Sequence, residues 1–576
     1  MFLKTLNTVL LLAVTAIGIA MAIPITVTQL KSKYSDISIY GSRSYRLIRK
    51  AFCISVSYNR YKFICFDSAA DSAADSVADS VADSAAVGSA GYSADCSAGF
   101  ADCYDCSLKS PHFHLVLFTK FKKFIHSEGI SLVLPENYKK DIREILKNYD
   151  DGEEYFGILS KPPFRAVRLN TLKCSREQFL KRDFLKGQSP FCKESFYISS
   201  DFAAGSDPYH HAGAFYVQEP SAATAVEVLD PKPGDYVLDL CAAPGGKSTQ
   251  IAAKLSGEGL IWSNDAVFRR AQIIVSNFER MGIANGVVSA AMPDALAKEL
   301  EGAFDKVLVD APCSGEGMFR KEPQAVEMWS RENVAMCAER QREILNRAAV
   351  LLRDGGTLVY STCTFSYEEN EQNVLWFLKE HSDFEAVPIE VGFGRAAVGL
   401  QNAVRVFPMD GGEGHFVAKF KKRGNSLRNE IPFLKSEPQK AAVAALKSFC
   451  DDSGIKLPDG NLIKGADGGL YLSKLGALPK GLCVLRQGLP LGSERKGRLL
   501  PSHAMFSSPA VTVQNELSLE LSDKRTAAFL HGEETEAEGI TKNGYLRVSV
   551  DGIPLSFGKA VGGRVKNGYP KGLRTL

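Results

Sequence analysis

The chain has 576 residues, enough for three or four domains. With 45% hydrophobic and 23% charged residues it reads as globular rather than fibrous or unfolded, and a net charge of +3 is too small to identify a partner. The 13 cysteines are scattered, which excludes a dense disulfide framework and suits a reducing compartment.

The first 130 residues differ in character from the rest. Lys4 is followed by an uncharged, mostly apolar run from Thr5 to Leu30, and Ala20-Met-Ala22 resembles a small-residue cleavage site. The direct reading is a signal peptide or membrane anchor. Five tandem four-residue units follow, with aspartates at 67, 71, 75, 79 and 83. They carry too little apolar bulk to fold alone. Cys103 and Cys106 form a lone C-x-x-C without a second pair and are not read as a metal site. A competing reading, which we favour, is a mis-set start or a dispensable extension. The globular pattern begins near Leu132.

Helical spacing of Ile142, Ile145 and Leu146 predicts a helix over Tyr138 to Tyr149. Phe164 to Leu172 alternates apolar and polar residues and predicts a strand. Arg165 and Arg168 on it suit either phosphate contact or a solvated surface. His210 and His211 are adjacent, so their side chains diverge; a turn or cleft role fits better than a metal pair. Ser221 is expected to cap the Ala-rich run Ala222 to Val228.

Val237 to Leu240 is a short apolar strand. It runs into Cys241, Ala242, Ala243, Pro244, Gly245, Gly246 and Lys247, and then into a helical stretch. Strand, glycine turn and helix together open a nucleotide-binding βαβ unit, with backbone N–H groups free to approach a ligand. A phosphate-binding P-loop would need a glycine where Cys241 stands, and Pro244 interrupts the loop. A second apolar strand, Gly259 to Trp262, ends at Asn264-Asp265. An acid there accepts hydrogen bonds from ribose hydroxyls or caps the next helix, and the two roles are compatible.

Val307 to Val309 forms a third buried strand, broken at Asp310, Pro312, Cys313 and Gly315. An amphipathic helix is expected from Asn333 to Leu352. The strand Thr357 to Tyr360 then ends at Ser361-Thr-Cys-Thr364, before a helix opened by Glu368 to Glu371. If these two strands are neighbours, Cys313 and Cys363 face one cleft. One buried thiol reads as packing. Two thiols on strand-end loops, one preceded by an acid, do not.

The turn 241–247, Asp-Ala-Pro-Cys-Ser-Gly (310–315) and Ser-Thr-Cys-Thr (361–364), in that order, resemble the NSUN/RsmF-type RNA cytosine-C5 methyltransferases, over about residues 132 to 576. The resemblance implies an α/β, Rossmann-like class I S-adenosylmethionine methyltransferase core. It adds an N-terminal α/β RNA-binding domain and a C-terminal PUA-like β domain. It assigns Cys363 as the nucleophile that adds to C6 of cytosine, Cys313 to proton removal and release, and Asp310 to the base edge and the border of the cofactor. Residues 241–247, Asp265 and Arg270 are implied to hold the cofactor. A further family acid near the adenine would fall at Met292, which is not acidic, and Asp294 is the nearest substitute.

Residues 421–430 read as a linker. Leu482 to Leu491 and Gly497 to His503 resemble the middle domain of RsmF-type members. Tyr545 to Leu555 alternates like strands of a small β domain. From Gly552 onward there are Lys559, Arg564, Lys566, Lys571 and Arg574 and no acid, which suits phosphate contact. The expected domains are 1–130 (extension), 131–225, 226–422, 423–510 and 511–576. The expected activity is cytosine-C5 methylation of 16S rRNA or the small ribosomal subunit, by a cytoplasmic monomer without metal. Membrane association follows only if the apolar run is genuine. The alternatives are a tRNA methyltransferase and a non-catalytic RNA-binding assembly factor.

Overall fold

A computed structural model describes residues 133–434, 437–465, 467–540 and 542–575. The apolar run, the aspartate repeat and the Cys103/Cys106 pair lie outside the described residues. Among the described residues, no helix is long and apolar enough to cross a membrane.

The organising element is a ten-stranded sheet. Its strands are β1 (Tyr236–Asp239), β2 (Leu260–Asn264), β3 (Gly286–Ser289), β4 (Phe304–Asp310), β5 (Leu352–Thr362), β6 (Phe384–Ala386), β7 (Arg395–Ala396), β8 (Ala403–Val406), β9 (His415–Lys422) and β10 (Val484–Gln487). The order is β7-β8-β9-β5-β4-β1-β2-β3-β10, with β6 on β9. The five strands β5-β4-β1-β2-β3 are mutually parallel. Strand β9 turns back antiparallel along β5. Helices cover both faces of the parallel part, so Val237, Leu238, Ile261, Trp262, Leu308 and Val309 are fully buried. That explains their near-continuous apolar runs. The helices that matter for the site are α1 (Gly246–Leu255), α2 (Phe268–Arg280), α3 (Pro293–Glu299), α4 (Arg331–Leu351) and α5 (Glu371–Glu380). Predicted boundaries shift by one or two residues here, except that β4 and β5 begin three and five residues before the predicted Val307 and Thr357.

Several local readings change. The predicted strand 164–172 is four residues, Ala166–Leu169, and all four are buried; it sits in an antiparallel four-stranded sheet. Arg168 is neither solvated nor open to phosphate. It is 2% exposed and donates to Gln218 Oε1 (2.9 Å), Gly246 O (2.8 Å) and Thr249 Oγ1 (2.8 Å). Arg165 is spent on the carbonyls of Ser199 (3.2 Å) and Phe202 (2.7 Å). Ser221 is not the cap of the Ala-rich run. Glu219 accepts from the Ser221 and Ala222 backbone N–H groups, and the Ser221 hydroxyl donates to Glu219 as well. The carboxylate reaches two orphan donors at once, where a hydroxyl reaches one.

The C-terminal third is tied to the rest. Residues 423–430 carry no regular structure yet do not swing free: the Arg428 guanidinium stacks 3.8 Å over the Tyr236 ring, and Asn429 donates to Glu301 O at 2.8 Å. Strand β10, from the expected middle domain, pairs antiparallel with β3 and extends the central sheet. The terminal five-stranded sheet (Glu516–Leu519 through Arg564–Asn567) shares one apolar cluster with the N-terminal sheet: Phe179, Phe196 and Phe215 pack with Leu517, Phe529, Leu546 and Val548.

Candidate active site

Every predicted site residue except Asp294 lies at the carboxyl ends of β1, β2, β4 and β5, on or beside the connecting turns. Beyond β1, Gly245 has φ +105°, a left-handed conformation that a side chain would strain, and it forms the N-cap of α1. A Cβ on Gly246 would sit 3.3 Å from both Gln218 Nε2 and the Tyr216 ring. Side chains hold the carbonyls of this turn: Asn277 donates to Pro244 O (2.8 Å), Arg270 to Ala243 O (3.3 Å) and Arg168 to Gly246 O. The turn therefore keeps a fixed backbone surface toward the cleft.

Beyond β2, Asp265 is 4% exposed. Its Oδ1 accepts from Val267 N–H (3.0 Å) at the start of α2, and its Oδ2 lies 3.4 Å from the Arg270 guanidinium. Beyond β3 the geometry separates the two adenine-side candidates from the buried cluster. Met292 is 61% exposed, and Asp294 is a surface residue paired with Arg347 of α4.

Sequence reasoning passed over Asp239, the last residue of β1. It is fully buried; Oδ2 accepts from Ser248 Oγ (2.6 Å), while Oδ1 has no hydrogen-bond partner. Burial, with Asp310 nearby, raises its carboxyl to about 7 despite the Ser248 hydroxyl. The signal was present as an acid directly before the glycine turn. Burial and the acids Asp239, Asp310 and Asp265 push the Cys241 thiol far up, so it stays protonated and inert.

The side that carries the two predicted thiols is built by adjacent parallel strands. β4 and β5 pair with Asp310 opposite Ser361, so the following loops bring Cys313 and Cys363 together, Sγ to Sγ 3.3 Å. Gly317 lets the loops close: its N–H donates to Cys363 O (2.8 Å), and a Cβ there would lie 2.9 Å from that oxygen and 3.0 Å from Gly414 O. The Cys363 thiol and burial hold the Cys313 thiol well above its ordinary range. Asp310 Oδ2 accepts from Lys247 Nζ (2.8 Å) and Oδ1 from Ser361 Oγ (2.8 Å). Burial alone would raise this carboxyl, but Lys247 and then His415 bring it well below the usual carboxylate range. Burial works against the Lys247 ammonium in turn, and Asp310 more than offsets it.

Two further groups escaped the sequence reading. Glu369, fully buried, accepts from Ser314 N–H (3.1 Å) and from Gln341 Nε2 (2.8 Å), which also donates to Pro312 O (3.0 Å). It thus braces both peptide neighbours of Cys313. Burial raises its carboxyl to about 7 against those hydrogen bonds. His415, 3% exposed, opens β9 with Nε2 3.6 Å from Asp310 Oδ1. His210 and His211 lie away from this cluster; the His211 ring meets the Tyr569 hydroxyl at 3.0 Å. Among the described residues, Cys192, Glu194 and Glu227 are close enough together to suggest a metal, yet Glu227 already binds Lys254 (3.0 Å) and Gln250 (2.9 Å).

The family described as 16S rRNA methyltransferase RsmB/F matches residues 226–421, the N-terminal domain of 16S rRNA methyltransferase RsmF matches 134–220, and the methyltransferase RsmF PUA domain matches 516–575. The chain is 31% identical to ribosomal RNA small subunit methyltransferase F of Vibrio campbellii, over 77% of this chain and 98% of that one. It is likewise 31% identical to the protein of the same name from Escherichia coli O157:H7, over 77% and 97%. Among solved structures, NSun6 from Pyrococcus horikoshii with SFG is similar at 25% identity and a TM-score of 0.44, over 50% of this chain and 99% of that one. With that identity sustained across nearly the whole length of its relatives, the chain belongs to the RsmF family of 16S rRNA methyltransferases.

Proposed function

We propose that the protein methylates C5 of a cytosine in 16S rRNA, using S-adenosylmethionine, with Cys363 as nucleophile and Cys313 as the releasing group. The observation that carries this reading is the pair of thiols 3.3 Å apart, beside an ionised acid, at the carboxyl ends of adjacent parallel strands. The residues present fit the cofactor. Its adenosyl part suits the fixed glycine turn and Asp265, and its positive charge suits the unpartnered Asp239 oxygen. When bound, S-adenosylmethionine supplies an electrophilic methyl group.

C5 of cytosine is a poor nucleophile. Addition of the Cys363 thiolate at C6 turns the ring into an enamine, and C5 becomes nucleophilic. Asp310, held by Lys247 and Ser361, faces the base edge where charge develops at N3. Once its sulfur is bonded to C6, Cys363 no longer holds the Cys313 thiol up; Cys313 gives its proton to water and, as thiolate, takes the C5 proton as the Cys363 sulfur leaves as thiolate. A cytosine within a helix has to be flipped out to reach this cleft. Residues 131–225 and 511–576 are the RNA-binding domains flanking a core of 226–422, with 423–510 as the middle domain. One chain supplies both thiols, the acid and the glycine turn, so the reading is a monomer that needs no metal, working in the cytoplasm where small subunits are assembled.

The test uses residues 130–576 as wild type, Cys313→Ala and Cys363→Ala, with cofactor and small ribosomal subunits. Cys313→Ala is expected to accumulate covalent protein–RNA adduct, and Cys363→Ala to give neither adduct nor methyl transfer. An active Cys363→Ala would mean the nucleophile is elsewhere. Transfer to tRNA alone would move the substrate, and no transfer at all would leave an RNA-binding assembly factor.

A further inference from the structure

Asp310 poses a problem of proton supply. When sulfur adds to C6, N3 of the base must gain a proton. Asp310 is ionised by its Lys247 partner and has none of its own to give. Behind it lies a buried histidine that the mechanism above leaves idle.

The His415 ring is 3% exposed, and neither ring nitrogen has a hydrogen-bond partner. A buried polar ring without partners calls for an explanation. Nε2 stands 3.6 Å from Asp310 Oδ1, about 0.7 Å beyond the usual hydrogen-bond length. The backbone at this point is fixed. His415 is paired opposite Val406 of β8, and the following residue, Phe416, opposite Thr362 of β5. Gly414, at φ +135°, packs so close to Phe365 that a Cβ would lie 2.3 Å from the ring.

The surrounding charges are already committed. Lys247 of α1 binds the other oxygen of Asp310. Glu413 binds Arg320 (2.8 Å), Arg405 of β8 is paired with Glu371, and Glu227, on the helix packed against β9, binds Lys254. The thiols of Cys363 and Cys313 lie on the neighbouring loops. Imidazole is the side chain that gains and loses a proton near neutral pH, and His415 is the imidazole within reach of Asp310.

We propose that His415 is the positioning residue that holds the proton for Asp310, an inference that rests on the cytosine-methylation reading. As the Cys363 thiolate forms the S–C6 bond, the imidazolium Nε2 proton passes through Asp310 Oδ1 to N3. Thiolate and imidazolium are consumed together, and the adduct is neutral. Once C5 has taken the methyl, the ring would carry positive charge, and the N3 proton returns to the imidazole. The C5 proton leaves separately, to the Cys313 thiolate, as the S–C6 bond breaks and the Cys363 thiolate is released.

The test measures single-turnover methyl transfer to small ribosomal subunits from pH 6 to 9.5, for wild type, His415→Asn and His415→Gln, with cofactor affinity measured alongside. Wild type should show a descending limb on the alkaline side of the profile. Both variants should lose that limb, fall by about 10- to 100-fold at pH 7, and bind cofactor within about threefold of wild type. A variant that is slower but keeps the wild-type profile shape would mean that His415 only packs, and the proposal falls. A wild-type profile without a descending limb overturns it even if neither variant folds. Absence of any transfer by wild type would strike the cytosine-methylation reading itself and the proposal with it, and wild type alone reveals that outcome.

Discussion

The two sides of the cleft are held by different kinds of interaction. Around β1 and β2, side chains grip backbone carbonyls: Asn277 on Pro244, Arg270 on Ala243, Arg168 on Gly246, and Asn264 on Leu240 (3.3 Å) and Ala291 (2.9 Å). These contacts shape a surface, and what burial shifts there, the Asp239 carboxyl and the Cys241 thiol upward and the Arg168 guanidinium downward, lies beneath it. Around β4, β5 and β9 the contacts run from side chain to side chain. They include Cys313 with Cys363, Lys247 and Ser361 with Asp310, Ser314 with Thr364 (2.8 Å), Gln341 with Glu369 and Trp329 with Glu316 (2.7 Å). The first side fixes where a ligand lies. The second sets which groups carry protons, so substitutions on the two sides should separate binding from rate.

The sharpest separation is expected at Asp310. Asp310→Asn keeps the shape and removes the charge that the proposed mechanism sets against the base. Single-turnover transfer should fall about 10³-fold, with cofactor affinity changed by no more than about tenfold. A larger loss of cofactor binding than of rate would place Asp310 on the cofactor side of the comparison.

Glu369 tests the same side through stability. Its carboxyl rises from 4.5 to about 7 on folding, so the native state takes up a proton that the unfolded chain releases. Stability from this group is fully present below the ordinary carboxyl range and is lost as pH rises through 7, by roughly 3 kcal/mol. Glu369→Gln stays neutral and still accepts from Ser314 and Gln341. Between pH 5 and 8 the wild type should lose stability relative to the variant by about that amount in urea unfolding. Asp239 has the same sign but is present in both proteins and cancels. A constant difference across that range would mean that the Glu369 environment does not favour its neutral form.

Gly317 and Gly245 allow a steric version of the comparison. In Gly317→Ala the new methyl meets two backbone oxygens, Cys363 O and Gly414 O, that cannot yield without moving the thiol. Transfer should drop about 100-fold, the scale of an ångström's misplacement of a reacting group, with cofactor binding retained. Gly245→Ala strains a left-handed residue on the turn proposed to hold the cofactor and should weaken cofactor binding instead. Isothermal titration with S-adenosylhomocysteine, read beside the transfer rate, distinguishes the two.

What could be read from the sequence follows the same division. The glycine turn, Asp265 and the two thiol loops are contiguous stretches in which chain direction and residue type carry the meaning, and each falls where the strands end. Asp239 was legible too, as the acid before the turn. His415, Gln341 and Glu369 were not. They reach Asp310 and the Cys313 loop from β9, from α4 and from just before α5, and only the pairing of β9 with β5 and the packing of α4 against both strands bring them there. Arg168 failed for the opposite reason: its strand alternates apolar and polar residues, but the polar face lies against α1 and not against water. Strand β10 was hidden because a short apolar run in the middle segment gives no sign of which sheet it joins.

The smallest effect concerns the adenine side. Asp265 is buried at the end of β2, with Oδ2 3.4 Å from Arg270, whereas the Asp294 side chain is 66% exposed and paired with Arg347. If ribose hydroxyls bind the buried acid, Asp265→Asn should weaken S-adenosylhomocysteine about tenfold, the scale of one charge-assisted hydrogen bond. Asp294→Asn breaks an exposed ion pair of small energetic weight and should change affinity less than about twofold. The reverse order would mean that α3 turns its first turn toward the adenine when cofactor binds, releasing Arg347. Arg347→Ala distinguishes the cases, because it should then tighten binding by freeing Asp294 and otherwise leave affinity unchanged.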